Sequence, residues 1–381
     1  MTPRLPKNWK GAHLRDLVFL QRGFDITQAK QVPGPYPVIS SSGITSYHNE
    51  AKAVGPGVIV GRKGTVGSVH FSPSDFWPHD TTLWSKELQG NDARFVFYYL
   101  LTVNLKRFDV GSSNPTLNRN HIHDLPVWIP PLDEQRRIAS VLSSFDDLTE
   151  NNRRRMTLLE DAARQLYREW FIRLRFPGHE HRSIRDGVPE GWKSTTAIAS
   201  MDILSGGTPK TTVSDYWDGD IPFYTPKDAS DACYTLTTER SITERGLKNC
   251  NSRLYPPDTV FISARGTVGK LSLAARPMAM SQSCYALVGK GHVSQLFLFS
   301  ALREAIDHFK QHASGAVFDA IVVDTFKLIP FTVPDQKAVR LFEETIGPLF
   351  RQVANLTEQN DKLRAARDLL LPRLMSGEIA V

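Results

Sequence analysis

Gly64-Thr-Val-Gly67 returns as Gly266-Thr-Val-Gly269, and this recurrence decides how the rest of the 381-residue chain is read. The shift is 202, and Phe95-Val-Phe97 meets Phe297-Leu-Phe299 at the same value. Toward the N-terminus, Pro37-Val-Ile matches Pro222-Phe-Tyr at 185 and Leu20-Gln-Arg-Gly23 finds Leu204-Ser-Gly-Gly207 at 184. Pro6-Lys-Asn-Trp9-Lys10 recurs as Pro189-Glu-Gly-Trp192-Lys193 at 183. Toward the C-terminus, Gly111 through Pro130 aligns on Gly315 through Pro334 at 204, and Leu148-Thr-Glu-Asn-Asn152 meets Leu356-Thr-Glu-Gln-Asn360 at 208. One short match is chance. Seven in the same order, with a shift that only grows, describe a duplicated unit. The jump of 17 between Pro37 and Gly64 puts an insertion in the second copy, somewhere in 223–265. A unit of this length is too long for a solenoid repeat.

Each copy opens with short β-rich segments (Tyr36-Pro-Val-Ile, Gly57-Val-Ile-Val, Thr259-Val-Phe-Ile) separated by Pro and Gly turns. One amphipathic helix follows in each, predicted from Asn91 to Phe108 and from Ser294 to Lys310, with Asn91 and Ser294 as N-caps. The remainder of each copy changes period. Apolar residues fall at 138, 141, 145, 148, 159, 162 and 166, interrupted by Asn152 and Arg155. In the second copy they fall at 339, 342, 346, 349, 353, 356, 363 and 370, interrupted by Asn360 and Arg367. This is heptad spacing, and it predicts two helical stripes that pair with each other rather than each covering its own globular unit. Pro348 is expected to split the second stripe into a short helix and a long one.

Composition narrows the function classes. With 41% hydrophobic and 23% charged residues the chain can bury real cores, so a disordered polymer is excluded. A net charge of +6 leans toward an anionic partner. Three cysteines without a C-x-x-C pair argue against a disulfide scaffold or Cys-rich zinc site and fit a reducing cytoplasm. The polar start has no signal-peptide pattern, and the longest apolar run, Phe95 to Leu101, is far short of a membrane span. Gly266-Thr-Val-Gly269-Lys270 is not a phosphate-binding loop, because Ala264 and Leu271 stand where that motif needs Gly and Ser or Thr. Asp335-Gln-Lys337 pairs in the repeat with Asp133-Glu-Gln135 and reads as a helix start, not a nuclease fragment. His121/His123, His179/His181 and His308/His312 have no Cys or acidic cluster beside them, so no metal site is expected. No catalytic residue is assigned.

Two related heads without visible chemistry suggest a recognition module, with half-sites about one helical turn, ~34 Å, apart on DNA. The groups that could reach base edges lie on the repeated loops: Arg62, Lys63 and Thr65 in one head, Arg265, Thr267 and Lys270 in the other. Gln21, Arg22, Ser112, Asn114, Thr208 and Lys210 complete the candidates for DNA binding. The competing account of Gly-Thr-Val-Gly is a tight hairpin and nothing more. Rival functions are a stand-alone DNA methyltransferase or nuclease fused to a reader, and an adaptor that binds only protein.

The chain resembles the specificity subunit of type I restriction–modification enzymes. The resemblance is carried by Pro-Glu-Gly-Trp192, the Gly-Gly207-Thr-Pro segment with Gly219-Asp-Ile-Pro222, and both Gly-Thr-Val-Gly loops. Leu125-Pro-Val-Trp-Ile-Pro130-Pro-Leu-Asp-Glu-Gln135, the Trp170-Phe-Ile-Arg-Leu-Arg-Phe-Pro177-Gly-His-Glu180 tail and the ending Leu371-Pro-Arg-Leu-Met-Ser-Gly377-Glu-Ile belong to it too. It implies an α+β fold. Two β-rich target-recognition domains (1–132 and 181–333) would be related by a pseudo-two-fold and joined by two helical regions (133–180 and 334–381) packed as an antiparallel coiled-coil spacer. The implied partners are double-stranded DNA, two modification subunits and ATP-dependent restriction subunits. S-adenosylmethionine, ATP and Mg²⁺ would act on those partners, with no cofactor on this chain.

Overall fold

A computed structural model describes residues 8–108, 116–229, 232–266, 268–312 and 321–381. By packing, the chain divides into two units: unit 1 holds residues 1–150 and 362–381, unit 2 holds 151–361. Each unit therefore draws on both helical regions.

In unit 1, Phe19–Arg22, Thr82–Glu87, Gly57–Gly61 and Val69–Ser72 form an antiparallel sheet in that order. A second sheet joins Gly43–His48, Tyr36–Ser40 and Trp77–Pro78. The run Val58-Ile-Val60 is fully buried, which is why it is continuously apolar rather than alternating. In unit 2, Met201–Ser205, Cys284–Gly289, Val260–Ser263 and Leu271–Ala274 repeat the first sheet, and Ser241–Ile242, Trp217–Tyr224 and Ala279–Met280 repeat the second. The expected insertion is real. It supplies strand Tyr234–Thr235 and the short helix Glu244–Lys248.

The strand pairings fix the repeat alignment residue by residue. Val38 lies beside Trp77 as Phe223 lies beside Ala279, which confirms the shift of 185. The 184 match is corrected to 183. A Cβ on Gly23 would stand 2.2 Å from the His79 carbonyl oxygen, and one on Gly206 would stand 2.2 Å from that of Ser281, so Gly206 rather than Gly207 is the counterpart of Gly23. Only glycine lets the chain pass so close to another backbone.

The first amphipathic helix runs Ala93–Thr102, shorter than expected, and its N-cap is Asp92, whose carboxylate accepts from the Phe95 N–H at 2.9 Å. Asn91 is busy elsewhere: its amide donates to the Leu17 carbonyl and its oxygen accepts from Gln135. Ser294 caps its helix, Gln295–His312, as expected, with its hydroxyl accepting from the Phe297 N–H at 3.4 Å.

Two long helices follow, Leu132–Tyr167 and Gln336–Met375. The second passes through Pro348 unbroken, contrary to expectation. An interior proline costs about 3 kcal/mol. Here Gly347 precedes it, removing the Cβ that would meet the ring. Phe342, Ile346, Phe350 and Val353 are all buried on one face of the same helix, and at about 1.5–3 kcal/mol for each large side chain they outweigh the proline. Asp335 caps that helix, accepting from the Ala338 N–H at 2.9 Å.

The helices run antiparallel. In unit 1 Ile138 and Leu142 share a core with Leu374 and Met375, and Asp146 pairs with Arg367. In unit 2 the Asn152 amide donates to the Asn360 side-chain oxygen at 3.0 Å, both residues being buried. The asparagines that interrupted each stripe are thus partners, and they occupy equivalent places in the repeat. A buried Asn pair of this kind fixes register. The first stripe is shifted from its expected positions: Leu148 is 45% exposed and Ala162 is exposed, while Thr149, Met156 and Ala163 are buried.

The cores differ in character. In unit 1 the Trp9 indole N–H donates to Glu134 at 3.0 Å and Asn8 donates to the other oxygen at 2.8 Å. At the helix shift of 208 the counterpart of Glu134 is Phe342, so the equivalent Trp192 packs among Phe171 and Phe176 with its buried N–H lacking an acceptor among the described residues. The same shift matches Gln135 with Glu343, which meets Ser294, and this replaces the earlier pairing of 133–135 with 335–337. Trp9→Phe should therefore cost unit 1 about 1–3 kcal/mol more than Trp192→Phe costs unit 2, because only the first strands a buried carboxylate. Urea midpoints of the two variants measure the difference, and equal losses would contradict it.

Candidate nucleic-acid interface

The two glycine loops are built by the same hydrogen bonds. Gly67 N–H donates to the Gly61 carbonyl and Arg62 N–H to Thr81, while Gly269 N–H donates to Ser263 and Ala264 N–H to Ser283. Leu117 N–H closes on Arg62 in unit 1 as Ile321 N–H closes on Ala264 in unit 2. Gly64, Gly67, Gly266 and Gly269 all sit at φ between 76° and 79°, so the tight turn accounts for these glycines. The hairpin reading of the motif holds, and the loops also position the side chains around them.

In unit 1 a cleft of about 750 Å³ is lined by Gln21, Arg22, Asp25, Arg62, Asn118 and Arg119 among others. Gln21 and Arg22 come from the end of the edge strand Phe19–Arg22, Arg62 from the glycine loop, and Asn118 and Arg119 from the start of the short helix Arg119–His123, where Asn118 is the N-cap. Asp80 ties them together. Arg22 Nη2 stands 2.9 Å from its carboxylate, and Arg62 Nη1 donates to its carbonyl at 3.4 Å. Burial depresses the Arg62 guanidinium's pKa and the Arg22 charge adds to this, while Asp80 opposes both. Asp25, His79 and Asp80 bring ligand atoms within 4.8 Å of one another, but Asp80 already meets Arg22 with one oxygen and His79 with the other. Asp80 thus serves as the anchor of Arg22 and Arg62.

Of the residues expected from sequence, the cleft gathers Gln21, Arg22 and Arg62. Lys63 and Thr65 lie on the loop outside its lining. In unit 2 Arg265 is exposed and Lys270 half-buried on the matching loop, Thr208 bonds Gln282, and Lys210 is exposed. Ser112, Asn114 and Thr267 lie outside the described residues. The sequence reading missed Asn118 and Arg119, although they follow Ser112 and Asn114 closely in the sequence and an Asn before a helical turn is a cap signal. It missed Asp80 as well, whose role depends on contacts with residues 18 and 58 positions away.

A histidine supports the strand that carries Gln21 and Arg22. His123 Nε2 accepts from the Leu20 N–H at 3.1 Å, which requires the neutral ring. Burial lowers its pKa below 6.5, the Arg119 and Arg15 charges lower it further, and Asp124 opposes them. As pH falls the unfolded chain takes this proton first, so stability is full above about 6.5 and is lost on acidification toward the folded-state value. Urea midpoints at pH 7.5 and 5.5 should show unit 1 weakened at the lower pH, and His123→Gln should flatten that dependence.

Burial pushes the Cys284 thiol up to about 12 and the Cys233 thiol well above its ordinary value, so neither is a nucleophile. No helix among the described residues is long and apolar enough to cross a membrane.

A family model, the type I restriction modification DNA specificity domain, matches residues 6–161 and again 189–365. The MjaIX specificity subunit of a Methanocaldococcus jannaschii type I restriction enzyme is 25% identical over 310 residues, covering 77% of this chain and 70% of that one. The HindI specificity subunit of Haemophilus influenzae is 20% identical over 327 residues, covering 70% of this chain and 71% of that one. The crystal structure of a type I restriction–modification S subunit from M. genitalium has the same fold, with a TM-score of 0.61 at 17% identity over 98% of this chain and 99% of that one.

Proposed function

Because the chain belongs to the family of type I restriction–modification DNA specificity subunits, we propose that residues 1–132 and 181–333 each read one half of an asymmetric bipartite DNA site. The protein is the DNA-recognition subunit of such a complex and not itself an enzyme. In this reading residues 133–180 and 334–381 form the spacer and dock two modification subunits, to which the ATP-dependent restriction subunits add. S-adenosylmethionine, ATP and Mg²⁺ act on those partners, and the complex works in the cytoplasm.

The observation that carries the reading is the cleft that brings Gln21, Arg22 and Arg62 to one end of unit 1, since these side chains can bond base edges. The test is a gel shift with the full chain purified together with modification subunits and a random duplex pool. Arg62→Ala should weaken binding by about 1–3 kcal/mol and relax specificity in one half-site only. If Arg62 touches only phosphate, affinity falls for every sequence and the salt slope flattens by about one unit. Absence of DNA binding by the complex would instead favour a protein adaptor.

A further inference from the structure

The two glycine loops share a backbone and keep a cation at Lys63 and its counterpart Arg265, but the side chains beside them differ. Because the same hydrogen bonds fix both, each side chain of the unit 1 cleft has a defined counterpart in unit 2. Arg62 is matched by Ala264, and the strand pairing with 82–87 and 284–289 matches Arg22 with Ser205 and Gln21 with Leu204. Past the Leu117 and Ile321 contacts, Asn118 is matched by Val322 and Arg119 by Val323, again at the head of a short helical turn. Val322 is 54% and Val323 41% exposed, so solvent meets aliphatic carbon where unit 1 presents amide and guanidinium groups.

These two surfaces fit different base edges. Arginine bonds guanine O6 and N7 through a bidentate fork, whereas apolar side chains contact the thymine methyl. The carboxylates argue for a base over a phosphate in unit 1. Asp25 lines the cleft and Asp80 is bound to its arginines, so their negative charge weakens the attraction for a phosphate. A carboxylate can accept from cytosine N4, so arginine beside aspartate suits the edge of a G·C pair. Asp80 also holds Arg22 and Arg62 in place before binding, which lowers the ordering cost of a bidentate contact.

Resting on the DNA-reading function proposed above, we infer that the half-site bound by unit 1 contains a guanine read by Arg62 in the cleft. At the corresponding place unit 2 reads a thymine methyl with Val322 and Val323. The asymmetry of the target then follows from the contrast between these two surfaces.

The test uses the full chain purified with modification subunits. Sequences are selected from a random duplex pool. Each guanine is then replaced singly by 7-deazaguanine, which lacks N7, and each thymine by deoxyuridine, which lacks the methyl group. One 7-deazaguanine should lower affinity about tenfold. That sensitivity should vanish in Arg62→Ala and also in Arg62→Lys, which keeps the charge without the planar fork. One deoxyuridine in the other half should lower affinity several-fold, and the doubly substituted Val322→Ala, Val323→Ala protein should be indifferent to it. Selected duplexes that tolerate every 7-deazaguanine overturn the inference and leave DNA reading intact. So does an Arg62→Lys protein with wild-type sensitivity. A pool in which no sequence is enriched overturns DNA reading itself.

Discussion

Residues 1–180, produced alone, should form a dimer. They contain the whole first repeat and the first long helix, but the core of unit 1 also takes Leu374 and Met375 from the second long helix, with Leu370 and Leu371 beside them. Left in water, that apolar surface would cost about 1.5–3 kcal/mol for each large side chain. A second copy can supply the missing residues. At the helix shift of 208, Leu166 and Tyr167 are the counterparts of Leu374 and Met375. Asn152, which bonds its own repeat counterpart Asn360, would bond its own copy across a true two-fold. With modification subunits the dimer should recognise a palindrome built from one half-site. Light scattering of the fragment and methylation mapping of the reconstituted complex decide it. A folded monomer, or an unchanged asymmetric target, would show that the two repeats are not interchangeable.

Phe342→Ala should be the most damaging single truncation considered for unit 2. The side chain is fully buried and its ring lies 4.9 Å from Phe171 and 5.7 Å from Trp170, with Tyr167 and Phe297 also in contact range. Removing it should cost about 3–5 kcal/mol through lost transfer energy and the cavity left behind. That is a large part of the 5–15 kcal/mol typical of a domain. Calorimetry should show the transition of unit 2 lowered by many degrees while that of unit 1 holds. A shift of only a degree or two would mean the aromatic cluster can collapse into the gap.

The duplication was legible in the sequence because repeated motifs survive as local strings. Gly57-Val-Ile-Val60 was legible as a β-rich segment because β-branched residues cluster there between turns, and the heptad spacing from Val339 showed a helix because it is a short-range periodicity. The insertion was visible as a jump in shift. Tertiary packing alone decided the rest. Pro348 continues a helix because a buried face outweighs its local cost. Leu148 points to solvent and Thr149 inward because the partner helix sets the rotation of the first stripe, which spacing by itself leaves open by one position. Asn152 and Asn360, read from sequence as faults in each stripe, bond each other across 208 residues. Arg22, Arg62 and Arg119 line one cleft, with Asp80 as the anchor of the first two, because three separated segments meet at the end of one sheet. Local strings carry periodicity and propensity. Register, rotation and convergence depend on contacts between residues far apart in the chain, and those exist only once it is folded.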